Sequence, residues 1–180
     1  DGQNIFVFFP ELGLLAFDFD GKELWRTPIG ESRSVQGLAV SPLYVQNKII
    51  LVVDTPEQAY VAAFDSKSGK QIWKTEREMT SVGSYATPTE YPRDGQSSII
   101  VVAAGKELTG YDAANGNRIW WARGVTDYPC APPFVAGDSI YSVEPQAGEW
   151  PPFSRPIELF DKNKDGQIEF SELNEGDVGW

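Results

Sequence analysis

The sequence has no histidine, one cysteine and one methionine, and its 26 acidic side chains outnumber its 15 basic ones. Without histidine there is no Ser-His-Asp triad, no Cys-His pair and no imidazole metal ligand. The lone Cys130 excludes an intrachain disulfide, a cysteine-rich zinc site and a CxxC redox motif. With no histidine to activate its thiol, Cys130 is expected to be a small buried residue rather than a nucleophile. The single Met79 cannot build the Met-rich groove of a calcium sensor. A formal net charge of −11 argues against nucleic acid as a partner. Long apolar runs are also missing. Ile5–Phe9 and Ile49–Val53 are strand-length, against the ~20 residues of a membrane helix, so no membrane span is expected. The chain opens on Asp1 with no methionine or basic leader, which reads as a processed or truncated start.

What is present fits a folded chain with a sizeable core: 180 residues, 41% hydrophobic and 23% charged. The charge is uneven. Ile157–Trp180 carries seven acids and two lysines, nearly half of the net excess.

A repeat runs through most of the chain. Ala16-Phe17-Asp18 leads to Gly21 and Trp25, Ala63-Phe64-Asp65 to Gly69 and Trp73, and Gly110-Tyr111-Asp112 to Gly116 and Trp120. The tryptophans recur 48 and 47 residues apart, and the aspartates 47 and 47. Ser41-Pro42, Thr87-Pro88 and Ala131-Pro132 each precede a segment rich in Val and Ile: Lys48–Asp54, Ser98–Ala103 and Ser139–Val143. Each period therefore reads as four strands. The first carries the proline step, the second the Val/Ile run, the third ends at small-x-Asp, and the fourth carries the tryptophan. Aspartate can accept backbone N–H groups across the turn between strands three and four, and glycine supplies its positive φ. The first copy is one residue shorter, from Asp18 to Gly21, so its turn is expected to differ. These repeated aspartates and tryptophans are read as turn caps and packing residues. Trp121, Trp150 and Trp180 fall outside the repeat, which leaves a ligand-stacking role open to them, and Arg118 and Arg123 are expected to be solvated.

Four strands in roughly 45 residues is the pattern of a β-propeller blade. The fold expected is all-β: a partial propeller of about three and a half four-stranded antiparallel blades over residues 1–148, followed by a short helical segment over 149–180. Propellers close with about four to eight blades, so further blades or a partner chain are expected to complete the ring. Ala63, Asp65, Ser68, Gly69, Lys70 and Trp73 also resemble, position by position, the tryptophan-docking repeat of the pyrroloquinoline-quinone (PQQ) type propellers. The third copy keeps Asp112, Gly116 and Trp120 but has Asn115 and Asn117 at two motif positions.

The tail carries the strongest chemical pattern. Asp161, Asn163, Asp165, Gly166 and Glu172 fit D-x-[DN]-x-[DN]-G-x5-E at every fixed position, and the segment resembles an EF-hand calcium loop. Calcium takes about six to eight oxygen ligands. Asp161, Asn163 and Asp165 would give side-chain oxygens, Gln167 its carbonyl, Glu169 an oxygen directly or through water, and Glu172 two. Pro151, Pro152 and Pro156 leave only Ile157–Phe160 as the body of an incoming helix, and Gly176 limits the exiting one. A solvated acidic turn without metal is the plain alternative.

Two functions remain. One is a non-catalytic binding or scaffold module, with one structural calcium and a protein or small-molecule ligand on the propeller face. The other is part of a PQQ-dependent dehydrogenase whose cofactor residues lie outside this chain. The resemblance implies that such enzymes set a vicinal disulfide against the quinone, which Cys130 alone cannot form. Calcium is thus the cofactor expected, PQQ is not, and no catalytic residue is assigned. The resemblance and the calcium loop together imply a bacterial periplasmic or extracellular setting.

Overall fold

The structure is a computed structural model that describes residues 1–30, 38–55, 57–78, 85–125, 129–143, 161–164, 172 and 178–179. The elements formed by these residues are all strands. The first sheet holds β1 (Ile5–Phe9), β2 (Gly13–Phe17) and β3 (Glu23–Thr27) in that order. The second holds β4 (Leu43–Val45), β5 (Lys48–Asp54), β6 (Ala59–Asp65) and β7 (Gln71–Glu76). The third holds β8 (Thr89–Tyr91), β9 (Ile99–Ala104), β10 (Glu107–Asp112) and β11 (Arg118–Arg123). It is extended at its outer edge by β14 (Val178–Gly179). β12 (Phe134–Ala136) and β13 (Ser139–Tyr141) form a two-stranded start to a fourth blade. All pairings are antiparallel. The proline steps expected within strand one fall just before β4, β8 and β12, because proline has no N–H to give a ladder.

The Val/Ile runs are continuous rather than alternating because each blade is covered on both faces. All six residues of β9 are buried, as are six of seven in β5. Two cores result, one at each junction between blades. Leu14, Ile49, Leu51, Val53, Tyr60 and Phe64 lie between the first and second blades, with Phe6, Phe8, Trp25, Ile29 and Leu38 packed on them. Ile50, Val52, Val61, Trp73, Val102 and Tyr111 lie between the second and third.

Along the inner side, Ser41 N–H donates to Thr87 Oγ1 at 3.1 Å and Tyr85 N–H to Pro129 O at 2.9 Å. Thr89 Oγ1–H donates to Pro133 O. The segments at the first strands are therefore tied in series. Cys130, expected to be buried, is exposed. It lies just before β12, where the fourth blade has only two described strands to cover it.

Candidate functional site

The repeated residues explain how the blades join. Ala16, Ala63 and Gly110 pair across the sheet with Trp25, Trp73 and Trp120. In each case the register shifts one residue later, and the Trp120 ring lies so close over Gly110 that a Cβ there would meet it at 2.4 Å. Trp25 Nε1–H donates to Ser66 O of the second blade at 3.0 Å, and Trp73 Nε1–H donates to Ala113 O of the third at 3.2 Å. Two residues on, Thr27 Oγ1–H donates to Gly69 O at 2.6 Å and Thr75 Oγ1–H to Gly116 O at 2.7 Å. A Cβ on Gly69 would lie 2.5 Å from Trp25 Cε3, and one on Gly116 2.5 Å from Trp73 Cε3. Glycine is thus required there for closeness as well as for its positive φ of 68° and 77°.

The aspartates cap these turns. Asp65 Oδ1 accepts from Lys67 N–H, Ser68 N–H and Ser68 Oγ–H, and Asp112 Oδ1 accepts from Ala114 N–H. The first turn does differ: Gly21 N–H reaches Asp18 O three residues back, whereas Gly69 and Gly116 reach Asp65 O and Asp112 O four back. Hydrogen bonds from Ser68 Oγ–H and the Ser68 N–H hold the Asp65 carboxyl below the usual aspartate range. Burial alone would raise Asp112, but hydrogen bonds from Ala114 and Ser97 and the Arg93 guanidinium bring it below that range as well. These aspartates are tied up in turn geometry.

In the tail, Asp161, Asn163 and Glu172 are described, whereas Asp165, Gln167 and Glu169 lie outside the described residues. So do the expected helical segment around Ile157–Phe160, and Trp150 and Trp180. Asn163 N–H donates to Glu172 Oε1 at 2.9 Å, and Glu172 is 5% exposed. The last acid of the loop is therefore folded back over its third residue. Asp161, Asn163 and Glu172 carry oxygen donors of the type calcium takes, and among the described residues no group of three acids is gathered that could hold a metal ion. Lys164 takes a left-handed φ of 64°, and six residues beyond Glu172 the strand β14 begins, setting Val178 opposite Ala122 and Gly179 opposite Trp121.

The sequence reading missed a cavity of about 340 Å³ between the second and third blades. Arg77, Thr109, Tyr111, Arg118, Trp121 and Arg123 are among the residues that line it. The Arg77 side chain is 7% exposed, with Nε 3.4 Å from Asp54 Oδ1 and Nη2–H donating to Ala104 O at 3.3 Å. Its Nη1 makes no hydrogen bond among the described residues. Arg118 and Arg123, solvated as expected, both lean on Glu107, at 4.0 and 3.5 Å, and flank the Trp121 ring. The signal was in the repeat: four residues past the shared tryptophan, the second blade has Arg77 where the first has Ile29.

A family model described as outer membrane protein assembly factor BamB matches residues 1–148 and 57–180 of the chain. No curated protein matches it. Among solved structures, it is similar to BamB from Moraxella catarrhalis, with 18% identity and a TM-score of 0.62 over 79% of this chain and 44% of that one. It is also similar to a europium-containing methanol dehydrogenase, with 21% identity and a TM-score of 0.52 over 70% of this chain and 24% of that one. The chain spans less than half the length of either structure, and at these identities the likeness is one of fold: antiparallel blades of the PQQ type.

Proposed function

The chain belongs to the family described as outer membrane protein assembly factor BamB, and from that membership we propose that it is a non-catalytic propeller module that scaffolds a protein partner and holds one calcium ion. The observation that carries the scaffold reading is the use made of the repeat's polar residues. Trp25 and Trp73 are committed to the next blade's turn, and Asp65 and Asp112 to capping those turns. Function is then left to the surfaces between and around the blades. Residues 1–148 supply the blades and 149–180 the calcium segment, with further blades or a partner chain closing the ring. The family's description as an outer membrane assembly factor supports an extracytoplasmic setting, periplasmic or extracellular.

In the calcium reading, Asp161, Asn163, Asp165, Gln167, Glu169 and Glu172 hold the ion, and the ion's role is to fix the tail. The return of Glu172 to Asn163 N–H supports it, since it sets the last acid of the loop beside its third residue. Titration calorimetry with calcium tests this: one site in the wild type and a lost or much weakened one in Glu172→Gln. Equal binding by both would remove the calcium half of the proposal. Reconstitution with PQQ and calcium, assayed by dye reduction over alcohols and sugars, is expected to give no turnover. Turnover would replace the scaffold with a dehydrogenase.

A further inference from the structure

The outer edges of the blades supply an internal control. The strands on that side are β3, β7 and β11. A bare strand edge invites another strand, and charged side chains along it are a common defence. One residue past the repeated tryptophan, β3 has Arg26 and β7 has Lys74, both exposed. Each is paired within its own strand, Arg26 with Glu23 at 2.6 Å and Lys74 with Glu76 at 2.7 Å. β11 has Trp121 at that position. Two residues past the tryptophan, Thr27 and Thr75 give their hydroxyls to the next blade, whereas β11 has Ala122, with none to give. The charges of β11, Arg118 and Arg123, stand at its two ends, 5.9 and 5.3 Å from the centre of the Trp121 ring, and leave the middle of the edge apolar. Among the described residues only the third blade gains a fifth strand, and it pairs at these two altered positions: Gly179 opposite Trp121 and Val178 opposite Ala122.

We propose that the outer edge of β11 is a strand-addition site for an extended segment of a protein partner, and that the chain's own tail strand β14 holds the site in the partner's absence. The proposal rests on the scaffold reading only for the partner's being a protein. In strand addition the main-chain hydrogen bonds supply affinity and alternate side chains supply specificity. The observed register states what fits: a small residue opposite Trp121, which leaves room across the pair for the indole, and a β-branched one opposite Ala122. The described ladder of β14 covers two residues of a six-residue strand, so a partner segment that pairs along more of the edge displaces it. The tail's advantage is its tether, which keeps it at high local concentration and leaves the edge open for only a fraction of the time. Trp121, one of the tryptophans outside the repeat, thereby acquires a role as the residue that opens this edge to pairing.

Isotope-edited NMR on the full labelled chain tests the site, with an unlabelled peptide of residues 174–180 as the probe. The double variant Val178→Pro, Gly179→Pro removes two backbone N–H donors from the tail and should open the edge. The peptide is expected to bind that variant saturably, shifting the Trp121 indole resonance and slowing amide exchange on β11. Its binding to the wild type should be weaker by about tenfold or more, because the tail competes. Trp121→Lys gives β11 the charge that β7 carries at Lys74. In the opened variant it should abolish peptide binding while the protein still melts cooperatively. A peptide carrying the same two prolines should not bind either. No binding to the opened variant, equal binding to it and to the wild type, binding unchanged by Trp121→Lys, or equal binding by the proline peptide would each overturn the proposal. None of these measurements uses a partner or a quinone, so they stand or fall apart from the scaffold reading, which the dye-reduction assay tests.

Discussion

Asp65 and Asp112 show what a repeated carboxylate does at the scale of a residue. Both titrate below an unfolded aspartate, whose pKa is about 3.9. The stability they contribute is therefore in place above that pH and is lost as pH falls through their folded values. In Asp65→Asn, Asp112→Asn the loss should already be present at neutral pH. The gap in melting temperature between wild type and variant should then hold from neutral pH to about pH 5 and shrink as pH falls through about 4 and below, as followed by circular dichroism. The glycines give a second contrast. Gly21 and Gly69 both sit at positive φ, 81° and 68°, but a Cβ on Gly21 meets nothing within 4 Å, whereas on Gly69 it meets Trp25. Both alanine variants pay for the backbone, but Gly69→Ala should cost a further ~1–3 kcal/mol in denaturant titrations. Trp73→Ala, which empties the dock itself, should cost ~3–5 kcal/mol.

The junction between strands of neighbouring blades is where sequence and structure part company. Strand positions were legible because the motif residues bracket them: β1 and β5 match the expected segments, β9 differs by one residue at each end, and β13 by two at its end. The partner of each tryptophan was not legible. Spacing places Trp25 along its own chain, but only the stacking of blades brings Ser66 O to its Nε1. The pairing of Asp54 with Arg77 was hidden for the same reason, since one closes β5 and the other follows β7. In the proposed calcium loop, the fixed positions were plain in sequence because the motif's spacing is local. The return of Glu172 to Asn163 is a contact that spacing alone only implies. The buried ion pair carries its own prediction. Arg77→Ile alone should cost ~3–5 kcal/mol, because a buried carboxylate loses its cation. Adding Asp54→Ala should recover most of that loss, as read by paired denaturant titrations of the single and double variants.

As a whole, the chain is a row of blades in which each packs on its neighbours. Stability in such a row is close to a sum of blade terms and junction terms. The strands with both faces buried, β5, β6 and β9, lie in its middle. β12 and β13 are largely exposed, as is the stacked Phe134–Tyr141 pair, with centroids 4.9 Å apart. Hydrogen exchange should therefore release β12 and β13 first and β5, β6 and β9 last. Uniform protection across the chain would contradict a row of semi-independent units. Calcium at about 100 times its dissociation constant should add ~2.7 kcal/mol, an increment that Glu172→Gln should lack in melts with and without chelator.

The tryptophan docks also set a timetable for synthesis. Trp25 finds its acceptor 41 residues later in the chain and Trp73 finds its own 40 residues later. A ribosome adding roughly 5–20 residues per second needs about 2–8 s to make that stretch. During that interval the newest blade holds its strands but presents an undocked indole to its surroundings. Each blade is locked by the one born after it, so the nascent chain always carries one unfinished, sticky edge, and that edge moves with the ribosome.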